Sequence, residues 1–482
     1  MNFRAINHTI GMIILVEMGF MAPSLIWCWL DSDRATATAF GGTLLVMGLC
    51  AGLFLLVGRR AKGSIFAQEG FVTVAISWIV LSLLGCLPFY FSGAIPHYID
   101  ALFEVVSGFT TTGSSILADP AALSRGLLFW RSTTHWLGGM GILVFMLAIL
   151  PASHRGALHL MQAESPGPTV SKFTPRLRQT SKILYTIYLA LTLLCIAFLL
   201  AGGMPVFDSL CTAFGTAGTG GFGIKADSMA SYSPYLQWVI TVFMALFGVN
   251  FSVYYLLLMR QVGAAVKDEE VRLYFGIMIA SGALIAWDIR YIIPDLSDRV
   301  RHAFFQVSSI MTTTGFSTVD FDAWPPFSKA ILLCLMAVGA CAGSTGGGFK
   351  VIRLAIMLKS LRRAIRHTLR PNSVQLVRVN GKVLADEVIH NVGAYLTAYV
   401  VILFGSFVLV SLDEFSLESN ISAVFACFNN IGPGFAAAGP MSNFAAFSGL
   451  SKLVLSLDML LGRLEIFPLL ALASRHSWSR RL

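Results

Sequence analysis

Long apolar stretches recur along the chain at about 8–30, 38–58, 70–92, 126–150, 181–203, 235–259, 271–293, 327–341, 390–412 and 447–473. A helix needs about 20 apolar residues to cross roughly 30 Å of hydrocarbon, so the pattern predicts ten membrane-crossing segments. The first run follows Arg4, as a secretory leader would. It is nearly span-length, however, and a second run from Phe40 to Val57 comes directly after it, which predicts a retained helical hairpin.

A second kind of segment follows the third, fifth, seventh and ninth runs. Residues 102–116 read LFEVVSGFTTTGSSI, 210–224 LCTAFGTAGTGGFGI, 304–318 FFQVSSIMTTTGFST and 421–435 ISAVFACFNNIGPGF. Each is an amphipathic run of about ten residues, too short to span, that ends in a Thr/Asn/Gly cluster and leads into another long run. The pattern predicts an all-α polytopic membrane protein: an N-terminal hairpin over 1–60, then four span, half-helix, polar strand, span units. Repeat 1 covers 61–155 with its loop at 110–115, repeat 2 covers 156–262 with 217–223, repeat 3 covers 263–380 with 312–318, and repeat 4 covers 381–482 with 429–434.

Non-helical backbone at membrane depth is tolerated only where protein buries it or a water-filled path runs beside it. Four such segments sharing one axis would ring it with carbonyl oxygens, which can replace the hydration shell of a monovalent cation. Half-helices dipping in would aim their negative C-terminal ends at the same place. Gly113, Gly221, Gly315 and Gly432 align at the ends of the clusters, where glycine turns successive carbonyls inward at little steric cost. Before them stand Thr111-Thr112, Thr219-Gly220, Thr313-Thr314 and Asn430-Ile431. A single Thr-Thr-Gly is more often a turn or a helix contact; four in register favour the filter.

Repeat 3 carries one more feature. The run from Leu332 to Leu358 is interrupted at 339–348 by Gly339, Gly343, Ser344, Thr345, Gly346, Gly347 and Gly348, a density of glycine that no continuous helix sustains. Such a break is either a packing crossover or a flexible loop lying across the path as a gate, and its presence in one repeat of four favours the gate. Arg463 lies deep in the last run, where a charge is costly and faces a partner or a cavity. It pairs with Glu465 or Asp458, or it sits near the path and opposes cations, or both.

Composition agrees with the pattern and adds orientation. Of the 482 residues 56% are hydrophobic and 12% charged, and the mean hydropathy is +0.74, which excludes an ordinary soluble domain. The net charge of +9 is carried by short runs between apolar stretches: Arg59 to Lys62, Arg155 to Lys182, Arg260 to Arg272, Lys359 to Lys382, and Arg475, Arg480 and Arg481. The alternate loops, such as Asp31 to Arg34, Pro96 to Asp100, Asp413 to Glu418 and Pro440 to Ser448, are poor in Lys and Arg. The positive-inside rule then places both termini in the cytoplasm, and nucleic acid is not the expected partner. The eight cysteines form no C-x-x-C pair and neighbour no histidine, so neither disulfides nor zinc are expected. His135 and His390 stand apart from any nucleophile or metal motif, which argues against an intramembrane enzyme.

In the order and spacing of these motifs the chain resembles the Trk, Ktr and HKT superfamily of potassium transporters, and within it the membrane subunits of bacterial Trk systems. The similarity runs over nearly the whole length. It includes Glu164-Ser165-Pro166-Gly167-Pro168 with Lys172 to Arg176, the loop from Cys341 to Lys350, Asn429 to Gly434, and Gly462-Arg463-Leu464-Glu465, while the hairpin at 8–58 favours the Trk branch. The resemblance implies four pseudo-symmetric repeats around one pore and a homodimer in the bacterial inner membrane. It implies K⁺ as the transported ion, held at the twelve residues from Thr111 to Gly432 named above, and a gate at 339–348 with Arg463 close by. It also implies a cytosolic regulatory subunit that binds NAD and ATP, for which Lys359 to Lys382 offer a docking surface, and no organic cofactor in this chain. The expected function is gated K⁺ uptake through a carbonyl filter. The alternative is a Na⁺- or H⁺-coupled symporter working by alternating access, since broken helices suit carriers too.

Overall fold

The computed structural model describes residues 1–59, 67–141, 177–372 and 375–474. The basic residues Arg60, Lys62, Arg155, Lys172, Arg176, Arg475, Arg480 and Arg481, and the 164–168 stretch, lie outside them. The N-terminal hairpin is α1 (Phe3–Met21) running into α2 (Pro23–Leu30), then α3 (Arg34–Val57). Pro23 opens α2, where a missing N–H costs nothing. Asp33 caps α3 by accepting from the Thr36 N–H at 3.1 Å. The two arms close on each other at glycines: a Cβ at Gly11 would stand 2.8 Å from Leu55, and one at Gly58 2.7 Å from the His8 backbone.

Four groups of helices follow, each termed a unit. The first has α4 (Ala67–Gly85) with α5 (Leu87–Phe91), then α6 (Tyr98–Phe109) and α7 (Arg125–Met140). The second has α8 (Leu177–Ala201), α9 (Val206–Gly218), α10 (Pro234–Phe247) and α11 (Phe251–Leu258). After the short α12 (Val262–Lys267), the third has α13 (Glu269–Asp288), α14 (Leu296–Met311), α15 (Pro326–Val338) and α16 (Val351–Leu369). A small antiparallel hairpin, β1 (Arg378–Val379) with β2 (Lys382–Val383), leads to the fourth: α17 (Asp386–Val410), α18 (Leu417–Phe428), α19 (Gly449–Arg463) and α20 (Phe467–Ala473).

The short helices α6, α9, α14 and α18 each carry a carboxylate in the first turn, Asp100, Asp208, Asp298 and Glu418, which suits a helix N-terminus. Each also packs against the helix that follows the short helix in the unit before it: α9 on α7, α14 on α10, α18 on α15, and α6 on α19, which closes the circle. Their faces are buried by Phe103, Phe109, Ala213, Phe305, Ile310 and Val424 among others.

Of the ten runs expected to cross, several are broken in the structure. Among the described residues six helices are long and apolar enough to cross: Phe3–Leu30, Arg34–Val57, Gln68–Phe91, Ser181–Ala201, Glu269–Tyr291 and Asp386–Asp413. The 235–259 run is instead bent by 91° between α10 and α11, where Gly248 ends one helix and the Asn250 side chain caps the next by accepting from the Ser252 N–H at 2.9 Å. The 447–473 run breaks between α19 and α20, with Glu465 and Ile466 at φ 55° and 67° and Pro468 in the first turn beyond. The 126–150 run is helical to Met140 and turns at Gly141, φ 77°, where the described residues pause. Helix interruption is therefore not confined to repeat 3.

Candidate functional site

The four short helices end alike. Thr111, Thr219, Thr313 and Asn430 adopt φ of 55°, 55°, 59° and 55°. Their N–H groups donate to Gly108, Thr216, Ile310 and Cys427, and the next residue's N–H reaches one further back, to Ser107, Gly215, Ser309 and Ala426, at 2.8–2.9 Å. This double bond pattern is a Schellman ending. Glycine or asparagine is the usual occupant of its left-handed position. A β-branched threonine there is strained and points to function.

Two residues on, Gly113, Gly221, Gly315 and Gly432 take φ of 84°, 74°, 86° and 101°. None has room for a side chain. A Cβ at Gly113 would overlap the carbonyl oxygen of Gly220, one at Gly221 that of Thr314 and one at Gly315 that of Ile431, while one at Gly432 would stand 2.8 Å from that of Thr112. Each glycine thus leans on the carbonyl before the next glycine, and the series returns to its start. All twelve residues singled out in the sequence are brought together here. On one side the four glycines line a shared vestibule. Within the first and third segments the threonine hydroxyls pair, Thr110 with Thr112 at 2.7 Å and Thr312 with Thr314 at 2.8 Å; the Asn430 amide donates to the Thr112 hydroxyl at 3.0 Å.

The joints between segments use residues that sequence reasoning passed over. Between the first and second, His135 has its Nδ1 2.9 Å from the Gly108 carbonyl and accepts from the Phe222 N–H at Nε2, 3.2 Å. Beside it Arg131 forms a buried pair with Glu104 at 2.7 Å and donates to the Gly223 carbonyl; Glu104 in turn accepts from the Ser115 hydroxyl and the Ile116 N–H. Between the second and third, the Met229 N–H donates to the Ser317 carbonyl at 2.9 Å, and Arg301 holds Gln237 at 2.8 Å. Between the third and fourth, Asp322 accepts from the Ala436 N–H at 3.0 Å and Lys329 bridges Asp322 and Glu418. Between the fourth and first, the Ser114 hydroxyl donates to the Gly432 carbonyl and Lys452 pairs with Asp100. Ser114, odd among phenylalanines and a proline, is thus a link in the fourth joint.

On the side away from the vestibule, the 339–348 loop packs against the segments. It leaves α15 at Gly339, φ 73°, and re-enters helix after Lys350. The Gly347 N–H donates to the Thr313 hydroxyl at 2.6 Å. A Cβ at Gly346 would stand 2.9 Å from the Thr312 carbonyl, and one at Gly347 2.7 Å from that of Asn429. Three further groups hold it. Glu270 accepts from the N–H groups of Ala342 and Ile352, one on each flank. The buried Lys350 ammonium donates to the Gly346 carbonyl. Arg463 donates to the carbonyl of Thr345 at 2.8 Å and, from the other nitrogen, to those of Gly138 and Gly139 at the end of α7. Of the two carboxylates suggested as partners for Arg463, Glu465 pairs with Arg353 and Asp458 accepts from the Ser406 hydroxyl. Lys350, two residues beyond the glycine-rich break, was a readable signal, whereas Glu270, far away in the sequence, was not.

A family profile described as TrkH, cation transport protein, matches residues 45–279 and 291–480. The Trk system potassium uptake protein TrkH of Salmonella typhimurium is 35% identical over 488 residues, covering 99% of this chain and 100% of that protein. Trk system potassium uptake protein TrkG of Escherichia coli is 32% identical, over 98% of each chain. The crystal structure of the potassium transporter TrkH from Vibrio parahaemolyticus superposes with a TM-score of 0.89 at 31% identity, covering 99% of this chain and 100% of that one. With the profile matching nearly throughout and the relatives matching end to end, this chain belongs to the TrkH family of cation transport proteins.

Proposed function

We propose that the chain takes potassium up across the bacterial inner membrane through a filter of backbone carbonyls contributed by its four repeats, each repeat one quadrant around a single pore. The observation that carries this reading is the closed series of glycine-to-carbonyl contacts, because it brings carbonyls of four separate segments around one axis, as cation coordination needs. The printed function of the relatives, potassium uptake, supports K⁺ as the cargo. In this reading the carbonyls of Thr111, Thr112, Thr219, Gly220, Thr313, Thr314, Asn430 and Ile431 coordinate K⁺, and the chain holds no organic cofactor and catalyses no reaction.

The 339–348 loop is the gate. Its contacts with Thr312, Thr313 and Asn429 support a position across the inner end of the filter, with Arg463 latching it by binding Thr345 and adding positive charge beside the path. Both termini lie in the cytoplasm, two copies form a homodimer, and a nucleotide-binding cytosolic subunit responding to NAD and ATP acts on the gate.

Rescue of growth at low K⁺ in a strain without its own uptake systems tests the transport reading, with and without the regulatory subunit. Substituting Gly315 by a bulkier residue is expected to lower K⁺ over Na⁺ selectivity in liposome flux; an unchanged ion ratio in a folded variant would sink the filter assignment. Unitary currents in bilayers support the channel, and flux that requires a Na⁺ or H⁺ gradient supports the coupled carrier.

A further inference from the structure

Helix α16 carries features that neither the filter nor the gate uses. It starts directly after Lys350 at the end of the loop, and Lys359 lies eight residues on, about 12 Å along the axis. Two ion pairs fix the level of this part of the helix. Lys359 binds Glu269, the first residue of the Glu269–Tyr291 crossing, and Arg363 binds Asp386, the first residue of the Asp386–Asp413 crossing, at 2.5 Å. The turn between them is therefore level with the ends of two membrane spans. On that same stretch Leu358, Leu361, Ile365 and Leu369 form an apolar stripe exposed by 47%, 57%, 53% and 75%. Flanking the stripe, Arg362 and Arg366 are exposed, four residues apart, and form no ion pair among the described residues.

We infer that this part of α16 is a binding surface for anionic phospholipid of the cytoplasmic leaflet, with the stripe on acyl chains and Arg362 and Arg366 on one headgroup phosphate. The chemistry matches the depth: apolar side chains beside arginines at headgroup level fit a lipid. A soluble partner would leave the stripe at the hydrocarbon boundary uncovered. The inference rests on the membrane orientation proposed above. It narrows the regulatory subunit's footprint to the hairpin at Arg378–Val383 and beyond. Because α16 is continuous with the loop, lipid charge acts on the gate.

The test uses the purified full chain without a regulatory subunit. Native mass spectrometry counts phosphatidylglycerol against phosphatidylcholine retained on it, and vesicles with rising phosphatidylglycerol report K⁺ flux. The wild type is expected to prefer phosphatidylglycerol, with retention falling about fivefold per arginine removed in R362Q and R362Q/R366Q, and R362K/R366K retaining the preference. Flux is expected to vary with phosphatidylglycerol content in the wild type and to be flat in R362Q/R366Q. Equal retention by wild type and R362Q/R366Q overturns the inference. So does unchanged lipid preference accompanied by dissociation of a dimer on size exclusion. Absence of K⁺ flux in every lipid overturns the transport reading alone, because lipid retention is read without transport.

Discussion

The Gly-bearing segments and the 339–348 loop are both buried, non-helical backbone, and they are held in place differently. Each segment is set by its own helix: the Schellman bonds at 108/111, 216/219, 310/313 and 427/430 are local, and the glycines that follow are boxed in by neighbouring carbonyls. The loop borrows much of its hold from distant residues: Glu270 from α13, Arg463 from α19 and Thr313 from another segment, along with Lys350 at its own end. Local bonds survive as long as the helix does. Borrowed bonds release when one element shifts, so the first region suits a fixed filter and the second a part that moves.

Gly221→Ala is the harshest probe of this contrast. Its left-handed backbone costs an alanine about 1–2 kcal/mol, and the methyl group would overlap the Thr314 oxygen, so selective K⁺ flux in liposomes is expected to be lost with no gain in total flux. Arg463→Gln comes next. Charged hydrogen bonds contribute about 1.5–3 kcal/mol, and losing those to Thr345, Gly138 and Gly139 should raise K⁺ flux roughly tenfold with the K⁺/Na⁺ ratio intact. A lowered ratio there would merge the two regions into one functional unit. Glu270→Ala removes both flank bonds and is expected to raise flux about fivefold, with Glu270→Gln showing less because an amide oxygen still accepts. Equal fluxes for the two would show that charge, and not the hydrogen bonds, anchors the loop. Ser114→Ala removes one bond at a joint, worth about 1 kcal/mol; a fall in Tm of about 2 °C with unchanged transport is the expected result.

The sequence made the segments legible because four copies of one pattern reinforce each other, down to the glycine at each end. The loop was legible from glycine density alone. What could not be read were contacts that depend on which unit faces which: His135 looks like a lone histidine until Gly108 and Phe222 flank it, and Glu104 looks like a stray charge until Arg131 meets it. The breaks after α10 and α19 were hidden for another reason. Hydropathy averages over Gly248 and Glu465 without registering them, and Pro468, a real helix-start signal, was absorbed into a long apolar run. The expectation that only repeat 3 is interrupted followed from counting glycines instead of helix ends.

The four joints have one further consequence. Units this alike could pack in the wrong cyclic order, since any short helix resembles any other in shape. A histidine ring, an arginine with a glutamine, an aspartate shared with a lysine and a serine hydroxyl mark the four seams differently. A mismatch would strand a polar group that is buried, as at His135, Arg301 and Ser114, or half-buried, as at Asp322. The seams act as an address system: likeness supplies the ring, and dissimilarity at its edges dictates the sequence in which the chain closes it.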